Sequence, residues 1–340
     1  MVVSLYRKEK QSMAQSIIDV QGVTRTFKSY EKDASSKGWF SRKKSHLLTA
    51  VGDLDLVLQS GEKVAFIGPN GAGKSTTLKI LSGLLRPTSG IAEVCGFVPW
   101  EQTRQLAAHI GLVFGQRSHL WPALSVENSF DLLAKIYGLE EKAYQEQRDK
   151  LIDVFGIEKL LPQLARTLSL GQRMRCDIAA ALLHQPEVLF LDEPTIGLDV
   201  TAKALLRDHL NVLAREFETT ILLTSHDADD VEKICHRVVL IDHGQKLLDT
   251  SLINLQRDFT HFKTLRIATE ERDPVFVHEH VAMAERGEHR LVLKVDVTHI
   301  EMEKVVSLCL EKFKLLDIGI EDMPLEEIIK TIYARKACPL

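Results

Sequence analysis

The rhythm of apolar positions divides the chain. Residues 64–67, 188–191 and 220–223 are short, almost unbroken apolar runs, the pattern of parallel strands buried on both faces. Residues 17–20 and 54–58 mix apolar and polar positions as half-buried strands do. Strand patterns recur at 91–94 and 110–114. The spacing turns helical over 126–164, where Leu132, Leu133, Ile136, Leu151, Ile152 and Phe155 fall on helix repeats. A new pattern starts near 261, with strands expected at 264–268, 290–297 and 316–320 and helices at 300–313 and 325–333.

This order predicts an α/β domain over 17–260 and a small α+β accessory domain over 261–340, behind a polar, disordered tail over 1–16 in which Met13 is a second candidate start. Residues 29–46 interrupt the first two strands. They are rich in Ser and Lys and carry Trp39 and Phe40 beside Arg42, Lys43 and Lys44. Two readings fit them: a flexible surface loop, or an aromatic and basic tip that touches a membrane or a membrane partner.

Composition narrows the class. Among 340 residues, 45% are apolar and 26% charged, ordinary for a globular protein. A net charge of −4 leaves no electrostatic footprint for nucleic acid. No apolar run reaches the roughly 18 residues of a membrane span, and the N-terminus lacks a signal-peptide core. Five cysteines show no metal or disulfide spacing, which suits a reduced cytosolic chain.

The chemistry is most legible at Gly68, Pro69, Asn70, Gly71, Ala72, Gly73, Lys74 and Ser75, which satisfy G-x-x-x-x-G-K-[ST] between an expected strand and a helix opened by Thr76. Glycines let successive N–H groups turn toward one anion, and the helix N-terminus adds its field. Lys74 would then reach the β- and γ-phosphates and Ser75 a Mg²⁺ ion. The run at 188–191 delivers Asp192 and Glu193 at its C-terminal end, where open α/β sheets place ligands. Asp192 suits Mg²⁺ and Glu193 suits the attacking water.

Between these motifs, Leu168-Ser169-Leu170-Gly171-Gln172 precedes an expected helix over 173–184. The segment resembles the signature motif of ATP-binding-cassette (ABC) ATPases, with Leu170 in place of the usual first glycine. The resemblance extends to Gln116 as the Q-loop, to Thr195-Ile196-Gly197-Leu198-Asp199 as the D-loop and to Ser225-His226-Asp227 as the switch segment, and it covers about 17–255. It implies a P-loop NTPase fold with a helical subdomain near 117–166, and ATP with Mg²⁺ as cofactors.

It further implies a head-to-tail homodimer in which Ser169 and Gly171, with Gln172 and Asp199 nearby, meet the nucleotide of the second subunit. Glu193 would be the general base, His226 would hold the γ-phosphate and water, and Gln116 would reach Mg²⁺ beside Ser75 and Asp192. Phe27, with Tyr30 as second choice, takes the place of the ring that stacks on adenine.

Residues 111–139 and the segments 317–322 and 324–329 are similar to the ABC-2 class of drug exporters, of viologen-exporter type. That similarity implies transmembrane permease subunits on separate chains, met near residues 121–130 with Trp121 as a candidate contact. The ATPase would then sit at the cytoplasmic face of the membrane. Alternatives are an importer ATPase, or a non-transport cassette acting on ribosomes or nucleic acid. For 261–340, a dimer-stabilising appendage is preferred over a regulatory ligand-binding module.

Overall fold

The computed structural model describes residues 16–32, 43–115, 117–216, 218–259 and 262–337. The expected tail therefore falls almost wholly outside the described residues, as do Trp39, Phe40, Arg42 and Gln116. The chain divides into two compact units between Thr250 and Ser251.

In the first unit, a six-stranded sheet runs in the order β5-β6-β7-β3-β8-β9. Its strands are β3 (Lys63–Ile67), β5 (Ile110–Phe114), β6 (Val188–Asp192), β7 (Thr220–Ser225), β8 (Arg237–Asp242) and β9 (Gln245–Ser251). The central strands β6, β7, β3 and β8 are almost wholly buried, which is why their sequences are continuous apolar runs rather than alternating ones. Neighbours from β5 to β8 are parallel.

Their register decides the function. Ile67 lies opposite Ser225 and Leu240, and Asp192 lies opposite Thr224. The residues that follow β3, β6 and β7 thus emerge at one edge.

An antiparallel sheet, β2-β1-β4, pairs β1 (Ser16–Lys32) with β2 (Lys43–Gln59) and β4 (Ser89–Val94). Its inward residues, including Ile18, Leu54, Leu56 and Leu58, join a core with Phe66, Leu78 and Phe190. The β1–β2 ladder continues from Ser29↔His46 to Lys32↔Lys43. The ends of the 29–46 insertion are therefore strand and not loop. Polar side chains there do not prevent pairing, because the ladder is made by the backbone.

The long helical stretch is shorter than expected. Helices α3 (Val126–Tyr137) and α4 (Glu141–Phe155) end at Gly138 and Gly156, each in the left-handed region with φ of 64° and 56°. Beyond them lie only two 3₁₀ turns, Glu158–Leu160 and Ala165–Thr167. Helices α1 (Lys74–Leu81) and α2 (Thr103–Leu106) precede this region. Helices α5 (Leu170–Leu182), α6 (Val200–Glu216) and α7 (Ala228–Ile234) follow it.

The second unit opens with α8 (Leu252–Asp258), whose Leu252 and Leu255 are buried; this helix sets the division ten residues before the expected 260/261. An antiparallel sheet β11-β12-β10-β13 follows. It is built from β10 (Phe262–Thr269), β11 (Val281–Gly287), β12 (Arg290–Asp296) and β13 (Leu315–Asp322), with α9 (Met302–Lys312) and α10 (Leu325–Ala337). Leu265, Ile267, Leu291, Leu293, Val305 and Cys309 form a core of its own. Strand β11 escaped the sequence reading because only Val281 in it is buried, leaving no alternation to detect. Among the described residues, no helix is long and apolar enough to cross a membrane.

Candidate nucleotide-binding and hydrolysis site

The loop between β3 and α1 is shaped by close backbone packing. Gly73 caps α1 at φ 106°, and a Cβ there would lie 2.3 Å from the Ala50 carbonyl oxygen of β2. Only glycine satisfies both conditions. Lys74, 5% exposed, turns back into the loop. Its ammonium donates to the Gly68 carbonyl at 2.6 Å and to that of Pro69 at 3.3 Å, and Glu193 Oε1 lies 3.5 Å away.

The strand ends complete the arrangement. Ser75 Oγ donates to Asp192 Oδ1 at 3.1 Å, and Thr224 Oγ1 donates to the same oxygen at 2.6 Å. Thr224 was missed by the sequence reading. The signal was present, however, as a polar residue closing an apolar strand directly before Ser225 and His226. Glu193 sits at φ 51°, a conformation non-glycine residues adopt at some cost. Its N–H donates to Thr224 O and Oγ1, each at 3.1 Å. So anchored, the Glu193 carboxylate reaches Lys74 on one side and His226 Nδ1, at 3.2 Å, on the other. The structure therefore gathers Lys74, Ser75, Asp192, Glu193 and His226 at one edge.

Ser169, Gly171, Gln172 and Asp199 form a second cluster. Helix α5 starts at Leu170, three residues earlier than expected, because Ser169 and Gln172 make a reciprocal capping box. Ser169 Oγ accepts the Gln172 N–H at 3.3 Å, and Gln172 Oε1 accepts the Ser169 N–H at 2.9 Å. Asp199 Oδ1 likewise accepts the Ala202 N–H in the first turn of α6.

A cavity of about 300 Å³ is lined by Ser169, Leu170, Gly171, Gln172, Gly197 and Asp199, among others. Leu170 lines the same cavity. A Cβ on Gly197 would lie 3.1 Å from Leu170 Cδ2, so this side chain rests on the D-loop. Among the described residues, no hydrogen bond or ion pair joins this cluster to the phosphate loop of the same chain.

A buried ionic hub ties the D-loop to the switch segment. Asp230, with no exposure, accepts from Thr195 Oγ1, from Arg207 Nε at 2.6 Å and from Ser225 Oγ at 3.2 Å. Lys203 Nζ reaches Asp227 Oδ2 at 2.6 Å. Burial works to raise the Asp227 carboxyl, but Lys203 and Arg207 outweigh it and hold the group below its ordinary value. The sequence reading found none of these partners except Thr195, Ser225 and Asp227 as motif members.

Phe27, 36% exposed, carries the Arg25 guanidinium 4.6 Å above its ring centroid. The Tyr30 side chain lies outside the described residues. Trp121 is partly buried.

Taken together, a phosphate loop after a central parallel strand, paired carboxylates on the next strand but one and a histidine between them define a P-loop nucleoside triphosphatase. The sequence model of the family described as ABC transporter matches residues 51–196. The ATP-binding protein NatA of Bacillus subtilis (strain 168), an ABC transporter protein, is 32% identical over 62% of this chain and 86% of its own. The linearmycin resistance ATP-binding protein LnrL of the same organism is 29% identical over 84% of this chain and 94% of its own. A solved ATP-binding subunit of an ABC transporter superposes with a TM-score of 0.59 at 26% identity, covering 72% of this chain and 93% of that one.

The chain belongs to the ABC transporter ATP-binding protein family.

Proposed function

We propose that this protein hydrolyses ATP to drive permease subunits carried on separate chains, as the ATPase of an exporter of the viologen or multidrug type. The observation that carries the reading is the convergence of Lys74, Ser75, Asp192, Glu193 and His226 at the C-terminal edge of the parallel sheet. Export is supported by the likeness to the linearmycin resistance protein, which covers 84% of this chain and so reaches into the second unit.

The residues take the following roles. The loop from Gly68 to Thr76 cradles the phosphates, with the Lys74 ammonium turning from the loop carbonyls to the β- and γ-phosphate oxygens. Ser75 and Asp192 supply hard oxygen donors to Mg²⁺, joined by Gln116 on the strength of the family resemblance. Their hydroxyl and carboxylate already meet at 3.1 Å, which fits that ion. When bound, Mg²⁺ neutralises charge on the phosphates. Glu193 accepts a proton from the attacking water, and His226 at 3.2 Å fixes the orientation of the carboxylate. Phe27 stacks on the adenine.

Ser169, Gly171, Gln172 and Asp199 serve the nucleotide of a second copy, so the working unit is a head-to-tail dimer at the cytoplasmic face of the membrane. The second unit stabilises that dimer. Segment 121–130 meets the permease.

Removing the Lys74 ammonium deletes a charge-assisted hydrogen bond of about 1.5–3 kcal/mol. Lys74→Ala should therefore weaken ATP binding by about 10- to 100-fold, read by titration with a fluorescent ATP analogue. Unchanged affinity would remove Lys74 from the phosphate site.

The deciding experiment uses the full chain carrying Glu193→Gln, recovered by affinity from detergent-solubilised native membranes with ATP and Mg²⁺ present. Co-purification of a multi-span membrane protein supports the reading. Recovery of ribosomal or chromosomal proteins alone refutes it.

A further inference from the structure

One buried carboxylate lies outside the proposed chemistry. Asp177, on the inner face of α5, is 2% exposed. Its Oδ1 accepts the Ser118 hydroxyl at 2.8 Å and the His119 N–H at 2.7 Å, while Ser118 Oγ accepts the Leu120 N–H at 3.1 Å. A carboxylate so placed costs desolvation free energy that its donors offset, whereas an apolar residue would avoid the cost. Burial pushes the Asp177 carboxyl above its ordinary range, against the pull of the Ser118 and His119 donors.

These contacts join two regions with different tasks. Asp177 lies eight residues from Ser169 along the same helix, about 12 Å at 1.5 Å per residue. The 118–120 turn leads into the segment assigned to the permease. That segment is also laced from behind. Val126 N–H donates to Gln163 O, Glu127 N–H to Leu161 O and Ala165 N–H to Leu124 O, at 2.9–3.0 Å. Residues 161–165 in turn lead into Ser169. The backbone ladder, which the Arg166 N–H extends to Pro122 O at 3.3 Å, thus holds the segment to a loop, and Asp177 holds the turn before it to the signature helix itself.

We propose that Asp177 is a positioning residue that fastens the 118–120 turn to the signature helix, so that ATP capture at the start of α5 and the setting of the permease-facing segment are one movement. This inference rests on the reading of Ser169 and Gly171 as ATP-contacting groups in a dimer. A two-state element biased from both ends is the physical content of such coupling.

The test is amide hydrogen exchange on the full-length Glu193→Gln protein with and without ATP and Mg²⁺. The proposal expects ATP to slow exchange by about ten-fold both over residues 68–75 and at residues 119 and 120. Adding Asp177→Leu should abolish the slowing at 119 and 120, and Ser118→Ala separately that at 120, each leaving that over 68–75 intact. Asp177→Asn, which keeps an acceptor oxygen, should retain both.

Slowing at 119 and 120 that survives in both variants overturns the proposal, as does its absence from the parent. Loss over 68–75 together with 119 and 120 in both variants shows general damage and also overturns it. A parent that shows no slowing over 68–75 overturns the nucleotide reading and this inference with it.

Discussion

Glu193→Gln should lower steady-state ATP turnover by about 10²- to 10⁴-fold, the share a positioned general base contributes, while ATP affinity stays within about two-fold. The geometry explains the split. Glu193 is fixed through its backbone, by two hydrogen bonds to Thr224, so the amide replacement leaves the strand end in place. What is lost is the proton acceptor, poised between Lys74 and His226. Phosphate release under saturating ATP measures turnover. Light scattering with ATP present measures the dimer, which should accumulate because hydrolysis no longer reopens it. Turnover within about two-fold of the parent protein would remove Glu193 as the base.

Asp230→Ala should be the most destabilising single change in the first unit. Breaking a buried ion pair by removing one partner costs about 3–5 kcal/mol, because the other charge is left uncompensated. Here Arg207, 8% exposed at its side chain, keeps only its longer contacts to Asp227 at 3.6 Å and Asp229 at 3.9 Å, and Thr195 and Ser225 lose their acceptor as well. For a unit of this size the loss corresponds to a Tm lower by on the order of 10 °C. The double replacement Asp230→Leu with Arg207→Leu should recover part of that loss, since neither charge then remains buried alone. Calorimetry of the three proteins decides the matter. A single variant within about 1 kcal/mol of the parent would show that the hub is not an energetic centre.

The hub also explains why two motifs far apart in the chain act together. Thr195 opens the D-loop and Ser225 immediately precedes His226, and both hydroxyls donate to one carboxylate. Any displacement of α6, which carries Arg207 and Lys203, is therefore felt at both segments. Leu170 adds an apolar contact from the signature helix to Gly197 of the same D-loop.

Legibility in the sequence followed locality. The phosphate loop could be read residue by residue, because eight consecutive positions define both its backbone path and its ligand groups. Strands β3, β6 and β7 were visible as apolar runs, since burial on both faces removes polar positions. The start of α5 was misplaced by three residues because a capping box was not sought within a motif read as functional. The strand pairing at the ends of the 29–46 insertion is not legible in the sequence, because a backbone ladder can pair polar residues. Helices α6 and α7, and strand β9, were not read at all.

The sequence by itself determined what this chain binds: the phosphate loop, the two carboxylates and the family motifs each sit within a few residues and carry their chemistry locally. Only the tertiary structure decided how those pieces share work. Parallel register sets Ile67 opposite Ser225 and Asp192 opposite Thr224, and β3 lies more than a hundred residues before β6 and β7 in the chain. Thr224 on Asp192, Asp177 on Ser118 and His119, and Asp230 on Thr195 and Arg207 are all contacts between distant segments. A buried carboxylate is stable only where the fold delivers donors to it. No spacing along one strand or helix reveals which donors will arrive.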